Sequence, residues 1–111
     1  MWLFSVEGML SVVEKPGDAE AGVLTVRARV KADLEALRKH LPGAPAIAAT
    51  PGNDYPYRLR ADREELALAS AQMVRDLRYA NFKAAVAQQQ GARREKVYHR
   101  VWAALLELQR R

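Results

Sequence analysis

In the run Val23-Leu-Thr-Val-Arg-Ala-Arg-Val30 the residues Leu24, Val26, Ala28 and Val30 alternate with Thr25, Arg27 and Arg29. Side chains on a strand point to opposite faces with period 2, so this run predicts a strand with one apolar face and one arginine face. A second run, Tyr55-Pro-Tyr-Arg-Leu-Arg-Ala61, repeats the pattern, with Tyr55, Tyr57 and Leu59 on one side and Pro56, Arg58 and Arg60 on the other. Two strands of this kind fit a sheet that is covered on one face and carries its arginines on the other.

The rest of the chain supplies the cover. Trp2-Leu-Phe-Ser-Val-Glu and Met9-Leu-Ser-Val-Val-Glu14 are dense in strand formers, and Gly8 between them marks a bend, which predicts one bent strand or two short ones over residues 2–14. Pro16-Gly17-Asp18 starts a turn and loop that runs through Gly22. Leu34, Leu37 and Leu41 recur at helical spacing, which predicts a helix over residues 31–40 ended by Pro42-Gly43. Residues 44–50 are weakly apolar and read as a short strand, and Pro51-Gly52-Asn53-Asp54 is a turn. Pro56 offers no ladder donor and places the strand that follows at an edge or at its own first residues.

Asp62-Arg-Glu-Glu65 matches a capping box at the head of a helix that runs to about Leu77, with Leu66, Ala69 or Ser70, Met73 and Leu77 as its buried stripe. Helices over residues 79–90 and 92–109 follow, separated by Gly91; Val97, Tyr98, Val101, Leu105 and Leu108 form the inner stripe of the last. Trp2, Phe4, Tyr79, Phe82, Tyr98 and Trp102 are core candidates. The fold class is therefore α+β: an antiparallel sheet of about four strands, with three or four helices packed mainly on one face, in a single domain spanning residues 1–111.

Composition removes several function classes. With no cysteine among its 111 residues the chain has neither a disulfide framework nor a thiolate metal site. No apolar run approaches the ~20 residues of a membrane span, and no cationic segment precedes the first apolar stretch, so a cytoplasmic protein is expected. His40 and His99 are far apart, no carboxylate spacing resembles a metal motif, and the glycines stand at element ends rather than in a phosphate loop. No cofactor, metal or catalytic constellation is indicated. The formal charge is +5, with six Lys/Arg against two Glu between Arg93 and Arg111. A basic helix there can attract nucleic acid or an acidic partner.

Candidate function thus rests on Arg27, Arg29, Arg58 and Arg60, with Asp54 and Tyr57 beside them. Three uses are open. One is a non-enzymatic interaction face for a protein partner or a second copy, since arginine is favoured at interfaces. Another is nucleic-acid binding by the same face with the basic last helix; on the alternation, Tyr55 and Tyr57 face the core and leave that reading without a stacking platform. The third is an enzyme site around Asp54, Tyr57 and Arg58. Against all three stands a solvated face whose arginines pair with Glu7, Glu14 or Asp54.

The residues Met1-Trp2-Leu3-Phe4, Gly8, Ser11-Val12-Val13, Val26-Arg27-Ala28-Arg29, Asp54-Tyr55-Pro56-Tyr57-Arg58, Tyr79-Ala80-Asn81-Phe82-Lys83 and Val101-Trp102 together resemble a family of small bacterial and phage-encoded proteins that open Met-Trp-Leu-Phe. The resemblance spans nearly the whole chain and implies one shared fold without an established activity. Arg78 departs from the family pattern, in which an acidic residue often precedes the tyrosine.

Overall fold

The computed structural model describes residues 1–110, and the chain divides into two compact units. The first comprises Met1–Phe4 and Gly8–Leu77; the second comprises Ser5–Glu7 and the C-terminal segment from Arg78.

The first unit is built on an antiparallel sheet of strands β1 (Trp2–Ser5), β2 (Gly8–Val13), β3 (Val23–Ala28), β4 (Ala48–Ala49) and β5 (Tyr57–Asp62), in the order β1-β2-β3-β5-β4. The expected α+β architecture with an antiparallel sheet is observed, with five strands rather than about four and, among the described residues, five α-helices rather than three or four. Residues 2–14 form two short strands joined by a turn at Val6 and Glu7, with Gly8 the first residue of β2, and residues 44–50 contribute only the two-residue edge strand β4.

Helices α1 (Asp18–Ala21), α2 (Lys31–Arg38) and α3 (Arg63–Arg75) complete the unit. Leu10 and Val12 on β2, Val26 and Ala28 on β3, and Leu59 and Ala61 on β5 form one sheet face, and Leu34, Leu37, Leu41, Leu66 and Ala69 pack on it. Val26 and Leu34 are fully buried. Burial of such side chains stabilises by about 1.5–3 kcal/mol each, which is the driving force that fixes the faces of the sheet. Helix α1 occupies the turn-and-loop stretch expected after Pro16, and it puts Asp18 on the opposite, arginine-bearing face.

The predicted capping box at Asp62 is half realised. The Asp62 carboxylate accepts from the Glu65 amide at 3.0 Å, but Glu65 turns away and accepts from the Gly43 amide at 3.2 Å, tying the α3 start to the loop after α2. Within the α3 stripe, Leu66 and Ala69 are buried, whereas Leu77 lies beyond the helix end and is exposed.

In the second unit, α4 (Phe82–Gln90) and α5 (Ala92–Leu105) meet at Gly91, and a 3₁₀ turn, Leu106–Gln109, extends the chain. Asn81 caps α4 by accepting from the Ala84 amide. Phe82 stacks on Tyr98 across the pair, and Gln90 donates to the Val6 carbonyl at 2.9 Å. The expected α5 stripe is only partly inside: Tyr98 is buried and Val101 half-buried, but Val97, Leu105 and Leu108 are exposed. A pair of helices encloses one stripe of each, and that place is taken here by Phe82 and Tyr98. Trp2 and Trp102, both core candidates by sequence, are also exposed.

Gly8 has a requirement that no other glycine shares. Its φ is +151°, and a Cβ built on it would lie 2.3 Å from the Asp33 side chain, whose Oδ2 accepts from the Met9 amide at 2.9 Å. The buried Asp33 thereby pins the start of β2 to the first turn of α2. Gly8→Ala is expected to lower the unfolding free energy by about 3 kcal/mol, from overpacking together with backbone strain. Gly17→Ala, at φ +89° with open space around it, should lower it by only about 1 kcal/mol. Urea denaturation of the two variants checks the order.

Candidate functional site

The pairing of β3 with β5 puts Thr25 opposite Arg60, Val26 opposite Leu59 and Arg27 opposite Arg58. Pairing of β2 with β3 adds Ser11 opposite Arg27, and pairing of β4 with β5 adds Ala48 opposite Arg58. One row across the arginine face therefore reads Ser11, Arg27, Arg58, Ala48. The two arginines are cross-strand partners between two small residues.

The four arginines differ in what they touch. Arg60 donates through Nε and Nη2 to Asp18 Oδ1, at 3.3 and 3.1 Å. Asp18 is almost wholly buried, and its other oxygen accepts from the Lys15 amide and from Thr25 Oγ1, each at 2.8 Å. The Lys15 amide does most to hold the Asp18 carboxyl below the usual carboxylate range. Desolvation opposes it, and Thr25 and Arg60 add to the lowering. Arg60 is thus part of a structural knot that fastens α1 to the sheet.

Arg29 donates to the Asp54 carbonyl at 2.6 Å, and its guanidinium lies 4.6 Å from the centre of the Tyr55 ring. Arg27 lies at the same distance from the same ring, and its Nη2 donates to Ser11 Oγ at 2.8 Å. Tyr55 is 5% exposed. The alternation rule had placed this ring in the core beside Tyr57; the structure puts it among the arginines instead. The cause is the start of β5 at Tyr57. Before it, the Thr50 amide donates to the Pro56 carbonyl and closes a turn over residues 51–55, within which Asp54 Oδ1 accepts from the Tyr55 amide, so Tyr55 belongs to a turn that the period-2 reading overran. Tyr57 does pack against the core cluster.

Arg27 and Arg58 are left with the least compensation. Both side chains are half-buried, and the Nε of each is buried without a hydrogen-bond partner among the described residues. No carboxylate pairs with either among the described residues: Glu14 pairs with Arg63, Asp18 with Arg60, and Asp54 holds its own turn. Like charges directly opposed on neighbouring strands repel, and a buried donor without a partner costs about 1–3 kcal/mol. The pairing of these arginines with Glu7, Glu14 or Asp54, expected for a merely solvated face, is not how Arg27 and Arg58 are arranged.

Asp54, Tyr57 and Arg58 do not converge. Tyr57 and Arg58 are consecutive on β5 and point to opposite faces, while the Asp54 carboxylate is engaged by the Tyr55 amide. Sequence reasoning missed Asp18 and Tyr55; Asp18 lies in a Pro-Gly turn, and only the fold brings it to Thr25 and Arg60. Among the described residues no group of three or more His, Asp or Glu could hold a metal ion, and no helix is long and apolar enough to cross a membrane. No family model, curated protein or solved structure matches the chain.

Two expectations separate structural from functional arginines. Arg60→Met should lower the urea midpoint, whereas Arg58→Met should leave it unchanged or raise stability by up to about 1 kcal/mol, because it removes both a repulsion and an orphaned donor. Asp18, with its folded-state carboxyl lowered, contributes stability that is full above the ordinary value near 4 and is lost as pH falls through the lowered value. The stability gap between the wild type and Asp18→Asn should therefore narrow as pH is taken from about 6 to about 3.

Proposed function

We propose that the chain is a non-enzymatic interaction domain that takes the carboxylates of an acidic protein segment on Arg27 and Arg58. One observation carries this reading: two arginines are held opposite one another on one sheet face, between Ser11 and Ala48, with no carboxylate paired to either among the described residues. An arrangement that disfavours the free fold is retained where a ligand of opposite charge relieves it. The planar guanidinium fork suits a carboxylate held by two parallel hydrogen bonds.

Arg27 is braced for this by Ser11 on one side and the Tyr55 ring on the other, and Arg29 closes the ring from its own side. A pre-ordered guanidinium loses less side-chain entropy on binding than a free one. The same stack argues against nucleic acid on this face. Two guanidinium groups lie against Tyr55, the ring is buried, and no other aromatic side chain stands in the row with Arg27 and Arg58. Base stacking on this face lacks its platform.

A short fluorescein-labelled peptide of alternating Glu and Gly is the probe. Its anisotropy should rise with wild-type protein, and the Arg27→Gln/Arg58→Gln variant should bind at least about tenfold more weakly, the loss of about 1.4 kcal/mol expected for one charge-assisted contact. Equal binding by that variant would overturn the reading. Self-association seen in sedimentation and lost in the same variant would assign the partner to a second copy of the chain.

A further inference from the structure

The net charge of the protein is not shared between its two units. The first holds ten Lys/Arg and ten Asp/Glu, whereas the second holds eight Lys/Arg against Glu7, Glu95 and Glu107, so the entire +5 belongs to the smaller unit. On α5 the cations are ordered. Arg93, Lys96 and Arg100 recur at i, i+3 and i+7, all are exposed, and none has a carboxylate partner among the described residues. That spacing sets them on one face of the helix along about 10 Å of its axis.

An aromatic group lies farther round the same helix. Trp102 is 50% exposed, its ring is stacked on His99 with centroids 5.4 Å apart, and Lys83 Nζ from α4 sits 4.2 Å from the indole centre. Lys83 is 3.1 Å from His99 Nδ1, and an ammonium has only protons to give, so the ring nitrogen accepts and Lys83 is fixed in place. His99 lies between Trp102 and Lys96 at three-residue steps, so Lys96 is the row's nearest cation to the indole, and Arg100 and Arg93 lie farther round the helix.

We infer that the α4–α5 pair binds single-stranded nucleic acid, with phosphates on Arg93, Lys96 and Arg100 and a base against Trp102. The row of cations alone would suit any polyanion. The half-exposed indole on the same helix, next to Lys83 and reached from Lys96 past His99, is what favours a nucleic acid over an acidic protein, because a strand crossing the exposed side of α5 can set a base on the indole and its phosphates on the cations. This surface is independent of Arg27 and Arg58, which lie in the other unit.

The test uses the full chain and fluorescein-labelled oligo(dT), with anisotropy and Trp fluorescence read at low and moderate salt. Wild type should bind with quenching of Trp fluorescence, and binding should weaken steeply as salt rises. Arg93→Ala/Lys96→Ala/Arg100→Ala changes only exposed side chains; it should bind at least tenfold more weakly and flatten the salt slope by about 2, near 0.7 per lost phosphate contact. Trp102→Leu should lose about tenfold with the slope unchanged, the signature of a lost stack rather than a lost charge. Arg27→Gln/Arg58→Gln should bind oligo(dT) as wild type does. No binding at low salt overturns the inference. So does unchanged binding by the triple variant in a protein whose circular dichroism matches wild type, or a Glu/Gly peptide that binds this unit as tightly as oligo(dT).

Discussion

The antiparallel pairing of β3 with β5 is the constraint on which the first unit depends. It runs over six residue pairs, from Val23 opposite Asp62 to Ala28 opposite Tyr57. The apolar sets of both strands must reach the same side to meet Leu34, Leu37 and Leu66, and a one-residue slip would carry one strand's set to the wrong face. Once burial has fixed that register, the arginines have no freedom of placement. Arg27 faces Arg58, and Thr25 faces Arg60, because Val26 faces Leu59.

The protein handles the resulting row of cations in two ways. At one end, Asp18 supplies a buried carboxylate that Arg60, Thr25 and the Lys15 amide all address, so charge there is neutralised and α1 is fastened down. At the other, Arg29 and Arg27 are held against Tyr55, with Asp54 offering only its carbonyl to Arg29. Between these two anchors Arg58 has an alanine on one side and a like charge on the other. The backbone register keeps the two cations on adjacent positions of the sheet.

Much of this was legible in the residues themselves. The alternation in Val23–Val30 and in Tyr55–Ala61 identified two strands and the core face of Leu24, Val26, Ala28 and Leu59, since a half-buried strand writes its faces directly into a period of two, but it ran past the strand ends at Val30 and Tyr55. The helix over Leu34 and Leu37 was equally plain. What escaped was set by the chain's turns. Tyr55 lies two residues before β5, where Asp54 and Thr50 redirect the backbone, so extending the period to it reversed its side. Asp18 was hidden in a Pro-Gly turn that continues as a helical turn, and its burial depends on contacts 7 and 42 residues away. The exposed part of the α5 stripe was misjudged because helical periodicity reports which residues share a face, not whether a second surface covers it. Charge was visible as a total of +5, but its confinement to one compact unit needed the fold to define that unit.

Arg27 and Arg58 are cross-strand partners because the core fixes the register of β3 on β5. A double-mutant cycle on the unfolding free energy, with Arg27→Gln, Arg58→Gln and the pair, measured at low and high salt, tests this most directly. The predicted result is a repulsive coupling of about 0.3–1 kcal/mol that shrinks as salt rises. A coupling of zero, or an attractive one, would contradict it and would return the arginine row to the status of an ordinary solvated sheet face.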